Sequence, residues 1–282
     1  MTFKPSILIF DSGAGGLSVA REIQHLNTDG ELIYVADNAR FPYGIMKDSE
    51  LITRVMAVME KVIALHCPDI VVVACNTAST LALEHLRARF NPLFVGVVPA
   101  IKPAAEHSRS GVIGLLATPA TVDRQYTQKL LENFAQNQHV FRLGSNLLVR
   151  YAEDLLNGLD IPIQPLENEI ERLIQADSSG TMDTIVLACT HFPLLLNHFQ
   201  QLKCSQHIHW IDSGQAIARR VKHLTATLTP HTEHASMQRT HRNRRLRFYY
   251  TLANTSRKTQ QCYEKHLNPD QNLHAAHQLL DV

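Results

Sequence analysis

The sequence lacks a long apolar run, an excess of charge of one sign and a cysteine framework. No stretch approaches the roughly 18 apolar residues of a membrane-spanning helix, and the apolar block 7–10 is too short for a signal-peptide core. The 27 basic and 26 acidic side chains nearly balance, so no overall field draws the chain to polyanions. We therefore expect neither a membrane nor nucleic acid as a partner.

The five cysteines are odd in number and scattered, at positions 67, 75, 189, 204 and 262. Their spacing fits neither a zinc finger nor a disulfide framework, and such thiols are typical of a reducing cytoplasm. His207 and His209 have strand-like spacing but lack a third ligand. We expect a cytoplasmic protein with no metal and no cofactor.

Hydrophobic residues make up 45% of the 282 positions, enough for a sizeable core and about two domains. Short β-branched runs alternate with amphipathic stretches, of which 51–66 is the clearest. This alternation predicts parallel sheets covered by helices. Strands are predicted at 6–10, 31–36, 70–74, 93–98, 112–117, 184–188, 208–211 and 246–251.

Prolines at 99 and 103 interrupt the pattern, and Asp212-Ser213-Gly214 later repeats the tripeptide Asp11-Ser12-Gly13. The chain is expected to leave a first domain and return to it. The predicted fold is α/β, with two parallel-sheet α/β domains related by approximate internal duplication and an active site in the cleft between them. Residues 1–98 and 211–282 would form the first domain, and 99–210 the second.

A repeated signal ends two predicted strands: 71–77 has the sequence VVVACNT and 185–191 has IVLACTH, which places Cys75 and Cys189 in matching positions. Ligands of α/β sheets bind at the carboxyl ends of strands, where helix N-termini favour thiolates and carboxylates. We expect Asn76 or Thr77, and Thr190 or His191, to cap the helices that follow. Two thiols on opposite sides of one dicarboxylate would move a proton between the faces of a carbon.

Other polar residues fall near these strand ends. The first strand runs into the glycine-rich turn 11–16, but Ser18 stands where a dinucleotide fingerprint needs glycine, so the turn offers only backbone N–H groups. Asp11 either points into the crevice beside Cys75 or is a simple turn residue. His191 is placed to assist proton transfers of Cys189. The turn 41–44 would bring amides and the Tyr43 ring against a ligand.

Two other functions fit parts of the pattern. One cysteine could be an acyl nucleophile with His191 as its base, as in thiol hydrolases. Five arginines and His241 within 239–247 could bind phosphates in a two-lobed binding protein or a nucleic-acid partner. No aromatic residues are interleaved, so a solvated surface is the simpler interpretation of the arginine run.

Four segments together resemble the cofactor-independent glutamate racemases of bacterial cell-wall synthesis. The segments are 11–17, 42–44, 74–79 and 189–194, and they occur in the same order as in the family. The resemblance extends over about residues 5 to 220. The resemblance implies two α/β domains with glutamate between them, and a two-base mechanism in which Cys75 and Cys189 face the two sides of Cα.

The resemblance also implies site residues and partners. Asp11 and His191 would tune the thiols, and aspartate racemases usually carry Glu at the position of His191, which favours glutamate. A homodimer and a cell-wall precursor as activator are implied by similar proteins. Substrate would be bound by Asp11, Ser12, Pro42, Tyr43, Gly44, Cys75, Asn76, Thr77, Thr118, Thr121, Thr190 and His191.

Three departures from the family pattern matter. Arg150 follows a Leu-Val pair where the family often has Glu, which leaves the carboxylate partner of His191 open, with Glu153 one turn later as the candidate. Ala120 replaces a usual glycine, which alters the loop but keeps the hydroxyls of Thr118 and Thr121. The segment after residue 251 lacks the family's usual glycine.

Overall fold

The computed structural model describes residues 5–26, 30–228, 245–270 and 274–282, and within them ten strands form two wholly parallel sheets. The strands are β1 (Ser6–Asp11), β2 (Glu31–Ala36), β3 (Ile70–Val73), β4 (Leu93–Gly96), β5 (Val112–Ala117), β6 (His139–Gly144), β7 (Thr184–Leu187), β8 (His209–Ile211), β9 (Arg245–Tyr250) and β10 (His274–Leu279). The helices are α1 (Leu17–Leu26), α2 (Asp48–His66), α3 (Asn76–Arg89), α4 (Ile101–His107), α5 (Pro119–Val122), α6 (Gln125–Phe134), α7 (Asn146–Leu156), α8 (Ile163–Gln175), α9 (Leu196–Gln201), α10 (Gly214–Thr227) and α11 (Arg257–Leu267).

The strand orders confirm the predicted internal duplication. The first sheet has the order β10-β9-β2-β1-β3-β4 and the second β6-β5-β7-β8. In each half the first strand lies between the second and the third, and the fourth pairs with the third. Cys75 and Cys189 each follow the third strand of their half by two residues. Since all strands are parallel, these positions are equivalent ends of the two sheets.

Helices cover both faces of each sheet, as the buried runs of the strands require. In the first sheet alternate residues of β1 pack against α1, α10 and α11 on one face and against α2 and α3 on the other. In the second sheet α7 and α8 cover one face, and α4 and α6 cover the other. None of the described helices is both long and apolar enough to cross a bilayer.

All eight predicted strands are present, but β6 and β10 were missed. Both are edge strands, and in both polar or small residues interrupt the apolar ones, HVFRLG and HAAHQL, so they lack the apolar run of the central strands. Pro103 does not prevent a helix, because it lies in the first turn of α4, where its missing N–H has no helical acceptor.

The domain boundaries and the arginine run stay predictions. The boundaries are predicted at 98/99 and 210/211; the first sheet draws on residues 6–96 and 245–279, and the second on 112–211. Most of the arginine run, 239–244, lies outside the described residues. Arg247 is described, and its Nε lies 3.0 Å from Glu31 Oε1.

Candidate active site

A narrow cavity is lined by residues that follow strands of both sheets. Both cysteines line it, and each is only 7% exposed. Of the predicted site residues, only Asp11 and Thr121 are absent from its wall. The lining residues are Ser12, Phe41, Pro42, Tyr43, Gly44, Cys75, Asn76, Thr77, Thr118, Val149, Cys189, Thr190 and His191.

The expectation that helix dipoles lower both thiol pKa values is wrong for Cys75. Burial, and then the nearby carboxylate of Asp11, raise the pKa of Cys75 far above its usual value, and the amide of Ala78 offsets only part of this rise. The raised pKa favours the protonated form of the Cys75 thiol. A neutral thiol in this position is equipped to donate a proton.

The capping prediction was also wrong. Cys75 itself is the N-cap residue of α3, and no side chain caps that helix. His191 precedes a 3-10 turn, Phe192–Leu195, and makes no capping bond either. The side chains of Asn76 and Thr77 are thereby left to face the cavity, and Asn76 Nδ2 is buried with no hydrogen-bond partner among the described residues.

A chain of polar contacts leads away from the second thiol. Cys189 Sγ lies 3.8 Å from His191 Nδ1, and His191 Nε2 lies 2.8 Å from Glu153 Oε1. Burial lowers the pKa of His191, but its contacts with Cys189 and Glu153 outweigh burial and raise that pKa well above the usual value. The imidazole is therefore suited to take the proton of the Cys189 thiol.

The structure confirms Glu153 as the carboxylate beside His191. Glu153 lies on α7 one turn after Arg150, whose side chain is exposed. The same Glu153 oxygen accepts a hydrogen bond of 2.6 Å from the amide of Ala14, in the glycine-rich turn of the first half of the chain. One carboxylate therefore binds groups from both halves.

Asp11 lies behind the cavity wall rather than in it. Its Oδ1 accepts hydrogen bonds from the Gly13 amide at 2.9 Å and the Ser12 hydroxyl at 3.3 Å, and its Oδ2 accepts one from Thr190 Oγ1 at 3.0 Å. Burial raises the pKa of Asp11, partly opposed by the charge of His191. Ser12 Oγ in turn lies 4.0 Å from Cys75 Sγ, so Asp11 supports residues beside both thiols.

The glycines at 13 and 15 make room for the second half of the chain. A Cβ atom on Gly13 would overlap Glu153 Oε1, and one on Gly15 would overlap His191 Nδ1 and lie 2.6 Å from Thr190 Oγ1. Glycine is therefore required at positions 13 and 15 because Glu153, Thr190 and His191 approach the turn closely, and not because a nucleotide phosphate binds there.

Three threonine hydroxyls form a cluster at another wall of the cavity. Thr118 accepts a hydrogen bond from the Thr121 amide and so caps α5, and the two hydroxyls are 2.9 Å apart. Thr77 Oγ1 lies 3.5 Å from Thr118 Oγ1 and 3.4 Å from Thr121 Oγ1. Thr121 thus lies behind Thr118, and Ala120 disturbs neither hydroxyl.

The turn 41–44 closes the remaining side. The Phe41 ring lies 5.6 Å from the His191 ring, and Tyr43 is almost fully buried. Phe41 and Val149 are lining residues that sequence reasoning missed, because an apolar side chain carries no chemical signal of its own. Phe41 could have been found from its place in the predicted turn, next to the predicted binding residues 42–44.

Comparison with known proteins agrees with this geometry. The family model for Asp/Glu/hydantoin racemases matches residues 16–221. Glutamate racemase of Agrobacterium fabrum is 46% identical over 220 residues, 77% of this chain and 80% of that protein; the enzyme of Vibrio parahaemolyticus is 48% identical over 221 residues, 78% and 79% respectively.

Solved structures give the same result over the whole chain. Glutamate racemase of Escherichia coli, solved in complex with L-glutamate and the activator UDP-MurNAc-Ala, is 36% identical with a TM-score of 0.84 and covers 99% of both chains. The Aquifex pyrophilus enzyme is 30% identical with a TM-score of 0.70, over 97% of both chains. With both thiols in one cavity and a family match across most of its length, the chain belongs to the Asp/Glu/hydantoin racemase family.

Proposed function

We propose that the chain interconverts L- and D-glutamate by proton transfer at Cα between Cys75 and Cys189, with no cofactor. The observation that carries the proposal is the presence of both thiols, from equivalent strand ends of the two sheets, in the wall of one cavity. The relatives at 46% and 48% identity support glutamate as the substrate. A single acyl nucleophile would leave the second thiol without a role.

We infer that in one direction of the reaction Cys189 acts as the base and Cys75 as the acid. His191 takes the proton of Cys189, and the resulting thiolate removes the α-proton of glutamate. The Cys75 thiol then gives its proton to the opposite face of Cα. The product is the other enantiomer, with Cys189 protonated and Cys75 as thiolate, ready for the reverse reaction. Negative charge that develops at the substrate is stabilised by positioned hydrogen-bond donors.

Donors for the two substrate carboxylates come from the walls. Asn76 Nδ2 is buried without a partner among the described residues, and a buried donor of this kind is costly unless a ligand binds it. The Thr77 hydroxyl lines the same space. The hydroxyls of Ser12 and Thr190 line it as well, but their protons are donated to Asp11, and the proton of Thr118 is donated to Thr121. The backbone amides at the start of α3 add an anion site next to Cys75.

The direct test is circular dichroism of purified protein with L-glutamate, with L-aspartate in a parallel sample and no added cofactor. We expect the glutamate signal to decay to zero, as a racemic mixture requires, and the aspartate signal to persist. Folded protein that leaves the glutamate signal unchanged would contradict the proposal.

The biological setting follows from the proposed reaction. D-glutamate produced by this chain would be supplied to peptidoglycan synthesis, in the reducing cytoplasm that suits five free cysteines. A homodimer is the assembly that we propose on the basis of similar proteins, and sedimentation would check it.

We further propose that a UDP-linked cell-wall precursor binds to this chain, as the E. coli complex does for its own protein. A cavity of about 660 Å³ lies between α3 and the α5–α6 region, a volume typical of small-molecule sites. Its lining contains the cations Arg87 and Lys129, which suit a diphosphate, and Arg124, which is paired with Asp48. The half-exposed ring of Tyr126 suits stacking. Three carboxylates lie in the same wall and suit the hydroxyl and amide donors of such a ligand.

Lys129→Glu should weaken binding of UDP-MurNAc-Ala about 10-fold or more, because it reverses one charge beside the expected diphosphate. Titration calorimetry measures the affinity directly. Lys102→Glu is the matched control, since Lys102 is an exposed lysine outside this cavity. Equal affinities for both variants and the unmodified protein would contradict this location.

A further inference from the structure

The turn 41–44 is anchored from behind by an ion pair that does not line the cavity. Asp37 directly follows β2, and its side chain is fully buried. Arg54 on α2 binds both of its oxygens, with Nε 2.9 Å from Oδ2 and Nη2 2.6 Å from Oδ1. Two-point pairs of this kind fix geometry as well as charge.

Tyr43 connects the ion pair to the cavity. Its hydroxyl donates to Asp37 Oδ2 at 2.5 Å, while its ring packs in the same buried cluster as Cys75 and lies 6.2 Å from the Phe10 ring. Because the Tyr43 hydroxyl donates its hydrogen bond to Asp37, only the ring and the backbone of Tyr43 can contact a ligand in the cavity. The direction of the Tyr43 side chain therefore depends on Asp37.

The ion pair stays charged over the working pH range. Burial alone would raise the pKa of Asp37, but hydrogen bonds from Arg54, Thr251 and Tyr43 hold that pKa below its usual value. The hydrogen bond to Asp37 raises the pKa of Arg54. Neither side chain lines the cavity, and Tyr43 is the lining residue whose side chain binds the Asp37 carboxylate.

We propose that Asp37 and Arg54 are positioning residues that hold the turn 41–44 in its glutamate-binding form, an inference that rests on the proposed racemase function. The pair fixes Tyr43, Tyr43 fixes the turn, and the turn contacts the substrate. Gly44 already lies near the opposite wall, where a Cβ atom would be 3.5 Å from Thr118 Cβ. A shift of the turn would therefore change the width of the cavity.

Asp37→Asn should raise KM for glutamate about 10-fold while kcat changes less than about threefold, because loss of a binding contact shared by ground and transition states appears in KM alone. Tyr43→Phe removes the hydroxyl that binds Asp37 and should raise KM by a similar factor. The KM of the double variant should be no higher than that of Asp37→Asn, since both substitutions disrupt the same hydrogen bond between Tyr43 and Asp37. Racemisation kinetics by circular dichroism supply all three values.

Thr251→Val is the matched control. Thr251 Oγ1 donates to Asp37 Oδ1 at 2.6 Å, the oxygen that Tyr43 does not use, so its loss should lower the melting temperature and leave KM unchanged. If Asp37→Asn behaves like Thr251→Val, with lower stability and an unchanged KM, the pair is purely structural and the inference is overturned. Racemase activity of the unmodified protein is measured first, and its absence would contradict the proposed function instead.

Arg54→Lys gives a second readout should Asp37→Asn fail to fold. Lysine keeps the charge but cannot bind both oxygens in the fork geometry. We expect weaker binding of glutamate in titration calorimetry with a racemic mixture, whose composition turnover does not change. Affinity equal to that of the unmodified protein would overturn the inference.

Discussion

Racemisation of glutamate should fall by about 10²-fold or more in Cys75→Ser and in Cys189→Ser, the usual contribution of a positioned acid or base. A serine hydroxyl keeps the shape of the thiol but gives up a proton far less readily. Each change removes one of the two groups that line the cavity. Steady-state kinetics in both directions, starting from each enantiomer, measure the loss.

Solvent exchange distinguishes two bases from one nucleophile. In deuterium oxide Cys75→Ser and Cys189→Ser should each still replace the α-proton of one glutamate enantiomer by deuterium without inverting it, because one thiol remains. The two variants should do so with opposite enantiomers, because the remaining thiols face opposite sides of Cα. Cys204→Ser, a change at a free cysteine outside the cavity, should behave as the unmodified protein. Unchanged turnover in both active-site variants, or a trapped thioester, would overturn the two-base assignment.

Glu153→Gln should lower kcat about 10- to 100-fold and move the alkaline limb of its pH profile to lower pH. Glutamine preserves the size of the side chain and its hydrogen bonds to His191 and Ala14 but removes the negative charge. Because that charge helps to raise the pKa of His191, the imidazolium in the variant loses its proton at a lower pH. The positive charge of the His191 imidazolium stabilises the Cys189 thiolate in a site that already holds the carboxylate of Asp11. Loss of the imidazolium proton therefore disfavours the thiolate that acts as base.

Arg150→Ala is the control for Glu153. Arg150 occupies the position where the family often has a carboxylate, yet its side chain is exposed, and we expect less than a twofold change in kcat. If Arg150→Ala and Glu153→Gln have the same effect, or if the pH profile of Glu153→Gln does not move, Glu153 does not act through His191.

The central strands and the paired cysteines were accessible to sequence reasoning because their signals are local. A buried parallel strand is a continuous apolar run, and a repeated strand-end motif is visible without coordinates. Edge strands β6 and β10 lack such runs. The local environment of Cys75 was also misjudged, since the effect of burial and of Asp11 on its pKa depends on packing that no spacing rule contains.

The carboxylate partner of His191 could not be fixed from the family motif alone. A family motif places the carboxylate at 150, but a helix brings position 153 to nearly the same face, so either site can supply it. The 2.8 Å contact between Glu153 Oε1 and His191 Nε2 shows which residue fills the role, and Gly13 in the glycine-rich turn leaves space for that carboxylate. The contact between Asp37 and Arg54 was also missed, because neither residue lines the cavity and the contact depends on packing between distant parts of the chain.

The tightness of the cavity bears on how substrate reaches the thiols. Its volume of about 20 Å³ holds roughly one water molecule, far less than a glutamate. Hydrogen bonds from Thr190 to Asp11, from Ser18 to the Thr190 carbonyl and from Ala14 to Glu153 join the two halves of the chain beside it. We expect arrival and departure of each substrate molecule to separate these partners, so the contacts that prepare Cys189 for chemistry also restrain the exchange of product for fresh substrate.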